Sequence, residues 1–145
     1  RRNPAALLRF AAQYGSEDLM RRMFVLDALI LNIDRHLGNV GFLFDNGTMR
    51  ITGMAPIYDN NRSLLFQFDP EALEKRPEWC ISKCEPRISG DFIKTAQAVL
   101  TDELRAELKN MAGFQFQPPV GINVPMDRLE ALSRILNIQL NKILQ

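Results

Sequence analysis

The sequence predicts a mainly α (α+β) domain, a helical bundle interrupted once in its first third by a β-hairpin. Three observations carry this reading. Apolar residues recur at helical spacing in several separate segments. One stretch, "VGFLFDNGTMRITG", breaks that period and reads as two short strand-like runs around the turn former Asn46-Gly47. The composition is globular, with 46% apolar and 24% charged residues, so burial can offset the ordering of the chain. The whole of 1–145 reads as a single domain.

The elements follow in order. "PAALLRFAAQY" has helical periodicity, with Pro4 where a first turn tolerates it and Gly15 at its end. Ser16 reads as an N-cap, with Glu17 and Asp18 favouring the first turn of a buried helix over about residues 17–33. Residues 40–53 form the hairpin. "MAPIYDNNRSLLF" follows, where Pro56 argues against helix and Asp59-Asn60-Asn61 are turn formers. Residues 67–90, with Pro70, Pro77, Pro86 and Gly90, read as a loop-rich excursion with one short helix at "PEALEKR". "SGDFIKTAQAVL" and "TDELRAELKNM" read as two helices, the second capped by Thr101 or Asp102. "GFQFQPPVGINVP" is a loop, and an amphipathic helix closes the chain with Leu129, Leu132, Ile135, Leu136, Leu140 and Ile143 on one face.

Charge and hydropathy exclude some functions. The 18 Lys and Arg are balanced by 17 Asp and Glu, which argues against direct nucleic-acid binding through many phosphates. The longest apolar stretch is too short for a bilayer and is interrupted by Asp27 and Asp34, so no membrane partner is expected. No signal peptide is read, and a cytoplasmic location is expected. The start on "RRNPAALLRF", without Met, is consistent with a piece of something longer. Cys80 and Cys84 lack the further soft ligands that zinc needs and read as ordinary thiols.

"NIDRHLGN", residues 32–39, holds the only histidine. It has two readings. In the first, Gly38 ends the long helix, Arg35 and His36 sit favourably at its negative end, and Asp34 and Asn39 are turn residues. In the second, Asp34 and Asn39 share a short loop anchored between a rigid helix and a hairpin, a place where reactive groups commonly sit. The hairpin should bring Asp59 of "PIYDNN" back toward that loop. Two carboxylates and an amide oxygen suit Mg²⁺, which takes few protein oxygens and completes its shell with phosphates and water. The order Asp, Asn five positions later, hairpin, Asp is also that of protein-kinase catalytic and metal loops.

"NIDRHLGNVGFLFDNGTMRITGMAPIYDNNRSL" closely resembles the C-terminal part of HipA-like serine/threonine kinases, which carry an N-x-D-R-H-x-x-N loop, a hairpin and a P-x-Y-D segment. The likeness covers residues 17–64; the later helices match a kinase C-lobe in general character alone. D-R-H-x-x-N also occurs in phosphatidylinositol kinases, and the added P-I-Y-D favours the HipA-like family. The resemblance implies a kinase-like C-terminal lobe that transfers phosphate from ATP, with Mg²⁺, to a Ser or Thr hydroxyl of a protein. It implies Asp34 as the residue that orients or deprotonates that hydroxyl, and Asn39 and Asp59 as metal ligands. His36 is a second candidate in the catalytic loop, chiefly for ordering it, and Asn32 would brace Asp34. Asp59-Asn60-Asn61 lacks the glycine of the kinase D-F-G segment, which argues against a flip of that segment.

No Gly-rich phosphate loop and no strand-borne lysine with a glutamate partner precede Asp34. An N-lobe is therefore expected in the same or an adjacent chain, and the 145 residues alone are expected to be nearly inactive. The alternative is a non-catalytic kinase-fold binding module. A lobe without its roof would expose an apolar cleft floor around Val40 to Phe42 and Met54 to Ile57, a possible homodimer face. HipA-like kinases often work beside a DNA-binding partner, as in toxin–antitoxin pairs, so any DNA link is indirect. Of the rest, Trp79, Phe114 and Phe116 read as packing residues and the methionines as core filler. Arg21, Arg22 and Arg62 read as solvated surface.

Overall fold

A computed structural model describes residues 3–145. Helix α1 spans Pro4–Ala12, with Pro4 in the first turn and the Asn3 side chain accepting from the Ala6 amide. Helix α2 spans Glu17–Ile30 and is the centre of the domain: Met20, Met23, Phe24, Val25, Ala28 and Leu29 are all buried. It is lined by α1, by α5 (Phe92–Val99) and by the long C-terminal α7 (Met126–Leu144). A helix apolar around most of its circumference needs neighbours on several sides, and three supply them. Short helices α3 (Pro70–Lys75) and α4 (Pro77–Ser82) and helix α6 (Asp102–Asn110) complete the helical elements. Among the described residues no helix is long and apolar enough to cross a membrane.

Strands β1 (Phe42–Phe44) and β2 (Ile51–Met54) pair antiparallel, Phe42 opposite Met54, as the sequence predicts. The turn differs in detail. Neither Asn46 nor Gly47 takes a positive φ; Met49 does, at 56°. The connection is closed by Asp45, whose side chain accepts from the Thr48 amide at 2.6 Å and whose carbonyl accepts from the Met49 amide at 2.7 Å. An Asx-type turn thus replaces the two-residue one that Asn-Gly favours.

Other boundaries also move. Helix α2 stops at Ile30, three residues short of expectation, because Leu31 turns into the left-handed region. Gly38 therefore does not cap it; a Cβ there would sit 3.0 Å from the His36 ring, which is what keeps this position small. The 67–90 region holds two short helices, each begun by a proline at its first turn, where one was expected. Thr101 is the α6 cap, its Oγ1 accepting from the Leu104 amide. Trp79 packs edge-on against Phe68 yet stays 44% exposed, with the Arg76 guanidinium 4.7 Å above its ring. Phe114 and Phe116 pack edge to face, and the Phe116 amide docks their loop on Ser133 of α7. Met20 and Met23 are fully buried. Cys80 and Cys84 are buried free thiols, and burial raises both thiol pKa values, which disfavours the thiolate a metal needs.

The expected cleft floor is mostly covered. Phe42 packs against Phe10 and Tyr14, and Met54 is buried. The exposed apolar side chains of the hairpin are Leu43, Phe44 and Met49.

Ser16 opens α2, but its hydroxyl makes no helix cap. Its oxygen accepts from the Met54 amide at 2.8 Å and so bolts β2 to the start of α2. Ser16→Ala should leave that amide unpaired and lower stability by about 1–2 kcal/mol. Hydrogen exchange should show the Met54 amide losing protection before those of α2.

Candidate functional site

The site is assembled by the turn that ends α2. Leu31 adopts φ 52°, ψ 54°, and the Asn32 amide returns to the Asp27 carbonyl at 3.0 Å. Asn32 is thereby fully buried beside the Asp27 carboxylate, to which its Nδ2 donates at 3.2 Å. Its Oδ1 accepts from the Asp34 amide at 3.1 Å, so Asn32 braces the backbone of Asp34 as the sequence suggests.

Arg35 is the centre of this arrangement. It is 1% exposed and lies against Asp27, with Nε 3.0 Å from Oδ2 and Nη2 3.0 Å from Oδ1. Its remaining donors reach two other segments. Nη1 donates to the Asn39 carbonyl at 3.2 Å and to the Tyr58 carbonyl at 2.6 Å, and Nη2 donates to Asn60 Oδ1 at 2.5 Å. One nitrogen thus holds the backbone at 39 and at 58, so the two carbonyls are no farther apart than those two bonds laid end to end. Further contacts repeat the join: the Tyr58 hydroxyl donates to the Gly38 carbonyl at 2.9 Å, and the Ala55 amide to the Gly41 carbonyl at 2.9 Å. Burial pushes the Asp27 carboxyl upward, while Arg35 and Asn32 oppose that shift. A buried carboxylate is kept in such a place only with donors of this kind.

The candidate residues sit around this frame. Asp34, His36 and Asn39 share one loop, and Leu37–Asn39 forms a 3₁₀ turn. His36 accepts at Nδ1 from the Gly38 amide at 3.1 Å, so it orders that turn. Asn39 is nearly buried; its Nδ2 donates to the Asp34 carbonyl at 3.2 Å. Its Oδ1 receives no hydrogen bond among the described residues and is not sealed from solvent. Asp59 lies between the two residues that Arg35 grips. It is exposed, adopts φ 56°, and its carboxylate has no protein partner among the described residues. An amide oxygen and a carboxylate on joined segments, neither with a protein partner among the described residues, suit a hard cation that keeps several waters. Among the described residues no cluster of three or more Asp, Glu, His or Cys side chains forms a metal cage, so a cation here would need oxygens besides those side chains.

Asp34 is differently placed. Its Oδ1 accepts from Arg87 Nη1 at 2.6 Å, and Arg62 Nη1 lies 3.8 Å from Oδ2. The Arg87 hydrogen bond, helped by the charge of Arg62, holds its carboxyl below the ordinary range. Arg62 is thus part of the site, whereas Arg21 bonds the Val99 carbonyl and Glu17, and Arg22 pairs with Asp18 and Glu107. Arg87 is invisible to sequence reasoning, because nothing local connects it with a residue 53 positions away. The Asp27–Arg35 pair did leave a signal: a lone acid inside "MFVLDALIL" requires a cation, and Arg35 is near in sequence.

No family model matches the chain, and neither a curated protein nor a solved structure matches it significantly.

Arg35→Met should lower stability by about 3–5 kcal/mol in urea denaturation, because it strands the Asp27 carboxylate. The double variant Asp27→Leu/Arg35→Met should recover part of that loss. Arg87→Gln should raise the Asp34 pKa toward its ordinary value in a ¹³C carboxyl titration. The sign is that of a depressed acid: the pair's stabilisation is present above the unfolded-state pKa and fades as pH falls through the lower folded-state value.

Proposed function

We propose that this chain carries the catalytic and metal-binding loops of a HipA-like serine/threonine kinase, acting with Mg²⁺ and ATP on a protein hydroxyl. The observation that carries the reading is the grip of Arg35 on the segments that bear Asn39 and Asp59. Two separate loops are held together, each with an oxygen that has no protein partner among the described residues. Asn39 Oδ1 and the Asp59 carboxylate would hold the metal. When bound, Mg²⁺ supplies charge neutralisation on the nucleotide phosphates.

The chain's own residues have the following parts. Asp34, ionised at neutral pH, accepts a hydrogen bond from the acceptor hydroxyl and aims its oxygen. A carboxyl held below its usual range is a weak base, so orientation is its main contribution. His36 keeps the Leu37–Asn39 turn in place. Asn32 fixes the Asp34 backbone, and Arg35 fixes the whole. A Gly-rich loop and a nucleotide-binding lysine would come from an N-lobe in the same or an adjacent chain, in the cytoplasm, and the present residues alone would turn over slowly at best.

A second reading, a kinase-fold binding module that has lost the reaction, is favoured by one observation: Asp34 is already engaged by Arg87 and faced by Arg62. Metal binding separates the two. With ATP present, Mn²⁺ should broaden the Asn39 side-chain amide and the backbone amides of residues 58–60 in NMR spectra. Asn39→Ala and Asp59→Asn should each weaken that effect at least about tenfold, since losing even an outer partner of a metal ligand costs about 10–100-fold. Broadening spread over unrelated acidic surface, unchanged in both variants, would leave the binding module as the better account.

A further inference from the structure

A groove of about 700 Å³ is lined by Leu7, His36, Leu37, Gly38, Arg87 and Ile88, among others, and Arg87 joins it to Asp34, which is not itself in the lining. Its walls combine two kinds of surface. Leu37 is 67% exposed and, with Leu7 and Ile88, gives the groove an apolar side. Arg87 supplies the other side, and Arg62 stands across the carboxylate. Two half-exposed guanidiniums thus face a single carboxylate, and one of them, Arg87, also lines the groove. Arg87 is also the group that occupies Asp34 Oδ1. A hydroxyl that is to bond with that oxygen must displace Arg87 or share the oxygen with it. Displacement is easiest when the incoming molecule brings its own anion to receive the guanidinium, because one charge-assisted hydrogen bond is then exchanged for another.

We propose that this groove is the acceptor site, and that Arg87 selects polypeptide acceptors with an acidic side chain next to the Ser or Thr hydroxyl. The inference rests on the kinase reading for its chemistry, but its binding consequence does not. The acidic side chain draws Arg87 off Asp34, the freed Oδ1 receives the acceptor hydroxyl, and an adjacent apolar residue of the acceptor covers Leu37 and Ile88. Arg87 is in this sense a specificity residue.

The test is equilibrium binding of three dye-labelled decapeptides to the 145-residue chain without metal or nucleotide. One has Ser flanked by Glu and Leu, one replaces Glu by Gln, and one replaces Leu by Ser. The Glu–Leu peptide should bind about fivefold tighter than the Gln peptide, the scale of a half-exposed ion pair. Arg87→Gln should abolish that preference, and Arg87→Lys should restore part of it. Asp34→Asn, which releases Arg87, should tighten the Glu–Leu peptide severalfold. The peptide without Leu should bind more weakly to every variant. Equal binding of the Glu and Gln peptides to the native chain, or an undiminished preference in Arg87→Gln, would overturn the proposal. Far-UV circular dichroism identical to that of the native chain confirms that each variant is folded. A preserved Arg87-dependent preference without any metal response at Asn39 and Asp59 would sink the kinase reading and leave the acceptor site standing; the reverse pattern would do the opposite.

Discussion

The structure of the site depends on one buried ion pair. Asp27 faces inward from the apolar second half of α2, and it is tolerated there because Arg35, eight residues later, folds back to meet it. The chain can make that return because Leu31 takes up a left-handed conformation and reverses direction at once. Leucine gains nothing from that conformation by itself. The strain, of order 1 kcal/mol, is offset by the bonds that the turn allows. Arg35 has more donors than Asp27 can use, and the surplus goes to the Asn39 and Tyr58 carbonyls and to Asn60 Oδ1. Removing the pair would therefore cost more than two charges: it would release the loop from the segment that follows the hairpin.

This division of labour separates rigidity from chemistry. The groups that hold the frame, Asp27, Asn32 and Arg35, are buried and saturated with hydrogen bonds. Asp59 is exposed on that frame, and among the described residues neither its carboxylate nor the Oδ1 of the nearly buried Asn39 has a protein partner. Asp34 is intermediate, braced through its backbone and engaged through its side chain by arginines that a ligand could compete for. Such an arrangement gives positioned oxygens at little reorganisation cost, which is what transfer of a charged group demands.

Much of this was legible in the residues. The helices of the bundle followed from periodicity, and the hairpin from its two runs and the turn between them. What sequence reasoning missed, it missed for physical reasons. Asn46-Gly47 carries a strong turn preference, yet the Asp45 side chain captured the Thr48 amide and moved the positive φ to Met49. Gly38 looked like a helix stop, but a tertiary ion pair ended the helix earlier at a leucine. The short helix at Pro70 is expected from the sequence, whereas Pro77 reads as part of a loop, though it too sits where a helix can begin. Within the site, the Asp34–Asn39 spacing and the Asn32 brace could be read locally. Arg87 could not, because its contact is made by the path of the chain through α3 and α4 and leaves no periodic trace.

The central claim is that Asn39 and Asp59 form one metal site on a frame held by Arg35. The most direct measurement is a crystal structure of the chain soaked with Mg²⁺ and a non-hydrolysable ATP analogue. The account predicts one metal coordinated by Asn39 Oδ1 and the Asp59 carboxylate, with phosphate oxygens completing its shell. Metal and phosphates bound elsewhere, with those two side chains pointing apart, would contradict it.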